Sequence, residues 1–357
     1  MKDKFITYSF TIVLFSFFLI NIFVPDNELS YEERRKLKTF PSITVNNLLT
    51  GSFMDDFEKY SLDQFVGRSN FRFLKSYFNS YVLGKKDNNG VFIKDGYIYK
   101  MDYNINKTSI SNWLRIVNNI NDNYLKNNQV YYSIIPDKNY FLNDSYPNID
   151  YKELLNLVNN NLDINYINII DELTINDYYK TDTHWKQNRI YNVVNKLSES
   201  MKFETFNTYK ENNYYPFYGV YYGNLAQDVK LDTITYLTNE VIDNASVYNY
   251  EYEDNNKVYN ASKLGKMDSY DVFLDGASAY IEITNNNITD SKELVIFRDS
   301  FGSSIAPLLI NSYKKITLID LRYINMDAVN HLMKFNNQDV LFLYSTLIIN
   351  NSNTLKG

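Results

Sequence analysis

From Leu294 to the C-terminus, short apolar runs and helical segments alternate in a fixed order: strand Leu294 to Phe297, helix Ser303 to Tyr313, strand Ile316 to Leu321, helix Met326 to Phe335, strand Val340 to Tyr344. Strands joined through helices pair in parallel, and the crossover helices cover both faces of the resulting sheet. The pattern begins earlier. Val130 to Ile135 reads as a strand ending at Pro136-Asp137, Tyr151 to Leu162 as an amphipathic helix, Ile164 to Ile170 as a second strand, and Lys186 to Leu197 as a helix with Ile190, Val193, Val194 and Leu197 on one face. The expected fold is α/β, a parallel sheet sandwiched by helices. Residues 200–290, rich in Tyr and Asn, break the order and read as an insertion carrying part of a substrate surface.

The N-terminal part has a different character. Lys2 and Lys4 precede Phe5 to Val24, a run without a formal charge. About 20 helical residues cross the roughly 30 Å hydrocarbon layer of a bilayer, and no small-residue cleavage pattern follows this run, so residues 1–25 are expected to be an uncleaved anchor. A cleaved signal peptide would give the same compartment. Lysines before the span and acidic residues after it put the N-terminus inside and the rest of the chain outside the cell. Residues 26–90 read as a helical lead-in, with Phe53, Phe57, Tyr60 and Phe65 and then Phe71, Leu74, Tyr77, Phe78 and Tyr81 at helical spacings. The remainder, 91–357, would be the catalytic domain, opening on a hairpin around Asp95-Gly96.

Composition narrows the chemistry. The absence of Cys excludes disulfides, thiolate nucleophiles and iron–sulfur clusters, and a net charge of -6 gives no basic excess for nucleic acid. With two histidines, His184 and His331, few sites for imidazole chemistry exist. His331 reads as a helix-face residue with a local hydrogen bond. The acidic cluster Glu251 to Asp254, beside Asn255-Asn256, reads as a solvated loop. Tyr214, Tyr215, Phe217, Tyr218, Tyr221 and Tyr222 form an aromatic cluster suited either to stacking on sugar rings or to a core.

Two short segments carry candidate catalytic groups. Ser300 falls where the strand ending at Phe297 turns into a helix, the position at which ligands bind in open α/β sheets and where free backbone N–H groups favour developing negative charge. Its alternative role is a helix cap. Asp182-Thr183-His184-Trp185 places an acid two residues before an imidazole. In an extended segment both would point the same way, with Asp182 fixing the tautomer of His184 and the other ring nitrogen taking a proton from Ser300. Asp-x-His is alternatively a helix cap or half a metal site, the latter needing carboxylates from elsewhere in the chain.

At these residues the sequence resembles the DHHW family, related to the AlgX and AlgJ alginate O-acetyltransferases with an SGNH-hydrolase-like domain. The matching motifs run in order: Ser30-Tyr-Glu-Glu33-Arg34-Arg35-Lys-Leu37, Asp63-Gln64-Phe65 with Arg68, Gly90 to Tyr97, Ile135-Pro136-Asp137-Lys138, Tyr178 to Trp185, Phe217-Tyr218-Gly219, Asp299-Ser300-Phe301-Gly302 and Asp320-Leu321-Arg322-Tyr323. The resemblance implies an SGNH-hydrolase-like domain with a Ser300, His184, Asp182 triad. It implies transfer of acetyl to a polysaccharide hydroxyl, with the donor supplied beside a membrane-bound O-acyltransferase. With no Cys and one other His, no metal or cofactor is expected. Gly276, Tyr179, Arg322 and Trp185 stand as candidates for oxyanion or substrate contacts. Three positions depart from the pattern. Thr183 replaces the first His of the name, Arg298 replaces a common Gly and would crowd the approach to Ser300, and Asp275-Gly276-Ala277-Ser278 stands where relatives often have Gly-Asn. Two other functions fit the same residues: a carbohydrate acetylesterase, using water as acceptor, and a non-catalytic polysaccharide-binding or assembly subunit.

Overall fold

The computed structural model describes residues 2–102, 104–142, 146–251, 257–288 and 292–357. Seven strands form the central sheet: β1 Gln129–Ile135, β2 Asn165–Tyr166, β3 Ser246–Asn249, β4 Tyr280–Thr284, β5 Glu293–Arg298, β6 Lys315–Ile319 and β7 Asp339–Ser345. Their order across the sheet is β2-β1-β7-β5-β6-β4-β3. The five strands from β2 to β6 are parallel, as the strand–helix alternation predicts. At the other edge β4 runs antiparallel to β6, and β3 antiparallel to β4.

Residues on β5 alternate between two cores, since successive side chains of a strand face opposite ways. Leu294 and Ile296 join one apolar cluster, Val295 and Phe297 the other. The helices are α1 Lys107–Tyr124, α2 Tyr151–Asn159, α3 Tyr191–Met201, α4 Phe301–Leu309 and α5 Met326–Leu332. Residues of α3 and α4 fill the first cluster, and those of α1, α2 and α5 the second. Burial of both faces explains why β5 and β7 read as continuous apolar runs.

Several boundaries differ from the sequence reading for local reasons. The strand expected over Ile164 to Ile170 pairs only at Asn165–Tyr166, because the Asn168 side chain accepts the Ile170 N–H and turns the chain into a 3-10 helix. The expected helix from Lys186 opens instead as a 3-10 turn at Gln187–Arg189. Gln187 is buried, donates to Ser304 O and accepts the Leu237 N–H, so its side chain draws the turn inward before α3 begins. Helix α4 starts at Phe301, two residues early, because Asp299 Oδ1 accepts the Phe301 N–H.

Residues 200–290 divide. The hairpin Lys210–Phe217 with Asp232–Thr238 forms its own two-stranded sheet, while β3 and β4 extend the central one. The acidic cluster falls largely on 252–256, outside the described residues. His331 is exposed, with Nδ1 on the Asp327 carbonyl, as expected of a helix-face histidine. Val91–Lys94 and Tyr97–Lys100 pair across Asp95-Gly96, both at positive φ, as a two-residue turn of this type requires. The N-terminal helix Lys2–Phe23 is long and apolar enough to cross a membrane. Three further α-helices and a π-helical turn follow it in the lead-in, and the short strands Leu29–Ser30 and Arg35–Lys36 pair across a turn that carries Arg34.

Candidate active site

Ser300 follows the carboxyl end of β5, which lies inside the sheet between β7 and β6. Asp299 is buried and braces this turn, with Oδ1 accepting the Phe301 N–H and Oδ2 the Ser345 N–H at 2.8 Å. Ser300 occupies the cap position of α4, yet its side chain makes no capping bond. Its Oγ lies 2.7 Å from His184 Nε2 instead. Among the described residues no acceptor meets the Ser300 N–H, so that donor remains available at the helix terminus.

Asp182 and His184 do not sit on an extended strand. Tyr178 and Trp185 bridge, the Tyr179 N–H donates to His184 O, and the residues between form a bend. Within it Asp182 Oδ1 accepts both the His184 backbone N–H at 3.0 Å and ring Nδ1 at 2.5 Å. A turn, not strand alternation, brings the pair together. Burial alone would raise the Asp182 carboxyl, but His184 and then Arg34 outweigh it and hold the group well below the usual carboxylate range. The ionised carboxylate has no proton to donate. Nδ1 therefore carries the hydrogen, and Nε2 is the ring nitrogen that faces the Ser300 hydroxyl.

The second Asp182 oxygen is held from two distant segments. Oδ2 accepts the Val220 N–H at 2.7 Å and lies 3.5 Å from Arg34 Nη1. Arg34 also pairs with Asp268 and donates from Nε to Met267 O. The sequence reading gave no role to Val220 and included Arg34 only in a motif; their contacts span 38 and 148 residues. Tyr270 was missed as well. Its ring stacks on the imidazole with centroids 3.8 Å apart, and its hydroxyl donates to Ser304 on α4. One helix thus anchors the ring that covers His184 and begins at the serine.

The other candidates occupy less open positions. Trp185 is fully buried and donates its indole N–H to Ser304 Oγ at 2.8 Å, tying the His184 loop to α4. Tyr179 is also fully buried, edge-on to Phe217. The Gly276 N–H donates to Phe273 O within a turn. Arg322 makes a two-point contact with Asp320 and faces the Tyr323 ring. Arg298 does not crowd Ser300: it is fully buried, lies 3.6 Å from Asp320 and runs beneath Gly302, where a Cβ would meet Arg298 Cβ at 2.7 Å.

Lys138 is an unexpected neighbour. Its ammonium is buried, donates to the carbonyls of Tyr179 and Lys180, and lies against the rings of Tyr99 and Tyr221. Burial pushes it down to about 7, against the opposing pull of Asp182, Asp232 and Asp137; Lys186 adds to the depression. An unfolded lysine titrates near about 10.4, so between about pH 7 and 10 the unfolded chain binds more protons and stability rises with pH. Urea midpoints measured at pH 7 and pH 9 for the parent and for Lys138→Met test this. The rise is expected to be smaller in the variant, and equal slopes would assign the pH dependence to other groups.

Comparison with known proteins follows the same residues. A family model described as "DHHW protein" matches residues 89–319. The solved DHHW family protein from Eubacterium siraeum is 21% identical, with TM-score 0.62 over 75% of this chain and 94% of its own. PatB1 of Bacillus cereus is 18% identical, with TM-score 0.57 over 72% and 96%. A second PatB1 structure, with a sulfonyl adduct, matches at 20% identity, with TM-score 0.57 over 75% and 95%. At these identities the likeness is one of fold. No curated protein gives a significant match.

Proposed function

The chain belongs to the DHHW family, and from that premise we propose that it is an extracellular, membrane-anchored enzyme that transfers acetyl groups to a polysaccharide through an acetyl-serine intermediate. The observation that carries this reading is the continuous chain from Ser300 Oγ to His184 Nε2 and from His184 Nδ1 to Asp182 Oδ1. A serine hydroxyl is a weak nucleophile without an adjacent base, and this arrangement supplies one whose tautomer is set by a buried anion.

In the first half-reaction Ser300 Oγ attacks the acetyl carbonyl of the donor while His184 Nε2 takes the hydroxyl proton. The tetrahedral oxygen develops negative charge near the Ser300 N–H and the α4 N-terminus. One such donor is worth about 3 kcal/mol of barrier. The intermediate collapses by breaking the bond to the donor's leaving group, which receives the proton from His184. In the second half-reaction an acceptor hydroxyl loses its proton to His184, attacks the acetyl-serine carbonyl and releases Ser300, which recovers the proton.

The N-terminal helix supports an anchor, and the lysine placement supports an outward-facing domain. A membrane-bound O-acyltransferase would be the source of acetyl groups. Full-length protein in detergent, exposed to p-nitrophenyl acetate and followed by intact mass, is expected to gain one acetyl group that is absent in Ser300→Ala. Adding oligosaccharide should then discharge it faster than water does. Discharge at the same rate without sugar would make the protein an esterase, and no adduct on folded protein would leave the binding-subunit reading.

A further inference from the structure

The lead-in meets the catalytic domain along two cavities that share one residue, Glu32. The first, of 410 Å³, is lined by Tyr31, Glu32, Tyr214, Tyr218 and Lys266 among others. The second, of 340 Å³, is lined by Glu32, Ser69, Phe73 and Tyr222. Both fall within the size of small-ligand sites. Tyr218 and Tyr222, one on each cavity, meet edge to face with centroids 5.2 Å apart. Glu32 is steadied by a bond from Ser69 Oγ to Oε2 at 3.0 Å.

This line of cavities follows the segments that hold Asp182. Val220, between Tyr218 and Tyr222, donates to Asp182 Oδ2, and Arg34, two residues after Glu32, reaches the same oxygen. The carbonyl of Met267, which lines the first cavity, accepts from Arg34 Nε. Flat aromatic faces beside a fixed carboxylate match the chemistry of a pyranose, which presents an apolar ring face edged by hydroxyl donors. A small acceptor would need one cavity. Two that adjoin at a single residue match consecutive units of a chain.

We propose that the two cavities form one groove that binds consecutive sugar units of a glycan, with Tyr31, Tyr218 and Tyr222 as stacking faces and Glu32 as the hydroxyl acceptor between them. The assignment of this glycan as the acetyl acceptor rests on the function proposed above. The lead-in is then part of the substrate site, because Tyr31 and Glu32 belong to it.

The test is calorimetric titration of full-length Ser300→Ala protein in detergent with cellohexaose, chitohexaose and the corresponding disaccharides. At least one hexaose should bind about tenfold tighter than its disaccharide, and Tyr31→Ala/Tyr218→Ala should weaken it by about tenfold. Glu32→Gln should weaken it too, which keeps the test open if the double variant folds poorly. Tyr250→Ala, exposed elsewhere on the surface, serves as the control. Absence of hexaose binding, or affinity unchanged in the tyrosine and Glu32 variants, overturns the groove. Acetylation of Ser300 by p-nitrophenyl acetate is read separately in the parent. An adduct without glycan binding removes the groove alone; glycan binding without an adduct removes the enzymatic reading alone.

Discussion

Asp182→Asn is expected to slow acetyl-Ser300 formation by about ten-thousandfold while leaving the protein folded. The reason lies in which nitrogen of His184 carries the proton. With Asp182 ionised, Nδ1–H donates to Oδ1 and Nε2 is free to accept from Ser300. An amide at position 182 keeps an oxygen for the Val220 N–H but turns its NH2 toward Nδ1, which must then accept. The ring proton moves to Nε2, and Ser300 faces a donor where it needs a base. Losses of about 10^4 follow from this inversion in Ser-His-Asp systems. Arg34 keeps Asp268 as a partner, so the substitution does not strand a cation. The variant differs from Ser300→Ala in kind: the serine remains and is acetylated slowly, whereas the alanine protein gains no adduct. Stopped-flow release of nitrophenolate from p-nitrophenyl acetate measures the difference. A loss of less than tenfold would mean that His184 does not depend on Asp182 for its tautomer, and the triad reading would fail.

How much of this was legible in the sequence depended on the distance between partners along the chain. The strand and helix alternation is a local signal, and it identified the parallel part of the sheet because each apolar run is buried on both faces. The Asp182 and His184 pair is two residues apart, and Ser300 lies at a strand-to-helix turn; both are positions that a single stretch of sequence reveals. The geometry that joins them was misread, since an Asp side chain accepting the backbone N–H two residues on makes a bend and not a strand. The edge strands Ser246–Asn249 and Tyr280–Thr284 were hidden in a tyrosine-rich region because their pairing is with each other and with β6.

Nothing local marks Val220 or Tyr270, and the motif that contains Arg34 gives it no role. Each acts on the site through a contact set only when the lead-in, the hairpin and the loop before β4 have docked. Trp185 illustrates the opposite limit. The motif marks it as a position of interest, yet only its burial and its bond to Ser304 show that its indole lies between the histidine loop and the serine helix. A motif gives the address of a residue, while the direction of its side chain comes from packing.

Gly219→Ala is the second substitution with a large expected effect, and it acts without altering the side chain of Ser300, His184 or Asp182. A Cβ at position 219 would stand 2.3 Å from both the carbonyl carbon and oxygen of Thr181 and 2.4 Å from the Asp182 nitrogen. These are backbone atoms, so no rotamer change can relieve the overlap and the two chains must separate. Three bonds lace them together at this point: Gly219 N–H to Thr181 Oγ1 at 3.0 Å, Val220 N–H to Asp182 Oδ2 at 2.7 Å and Tyr221 N–H to Thr181 O at 3.0 Å. Thr181 is itself pinned to Asp232. Separation therefore falls on the segment that holds Asp182. Overpacking of this kind costs about 1–3 kcal/mol, and a displacement of about 1 Å in the catalytic groups lowers the rate by about a hundredfold. Both effects should be seen together: a lower urea midpoint, and slow acetylation of Ser300 measured at a temperature where the variant remains fully folded. A folded variant that acetylates at the parental rate would show that the close approach of residues 219–221 serves stability alone, and that Asp182 is placed by its own loop.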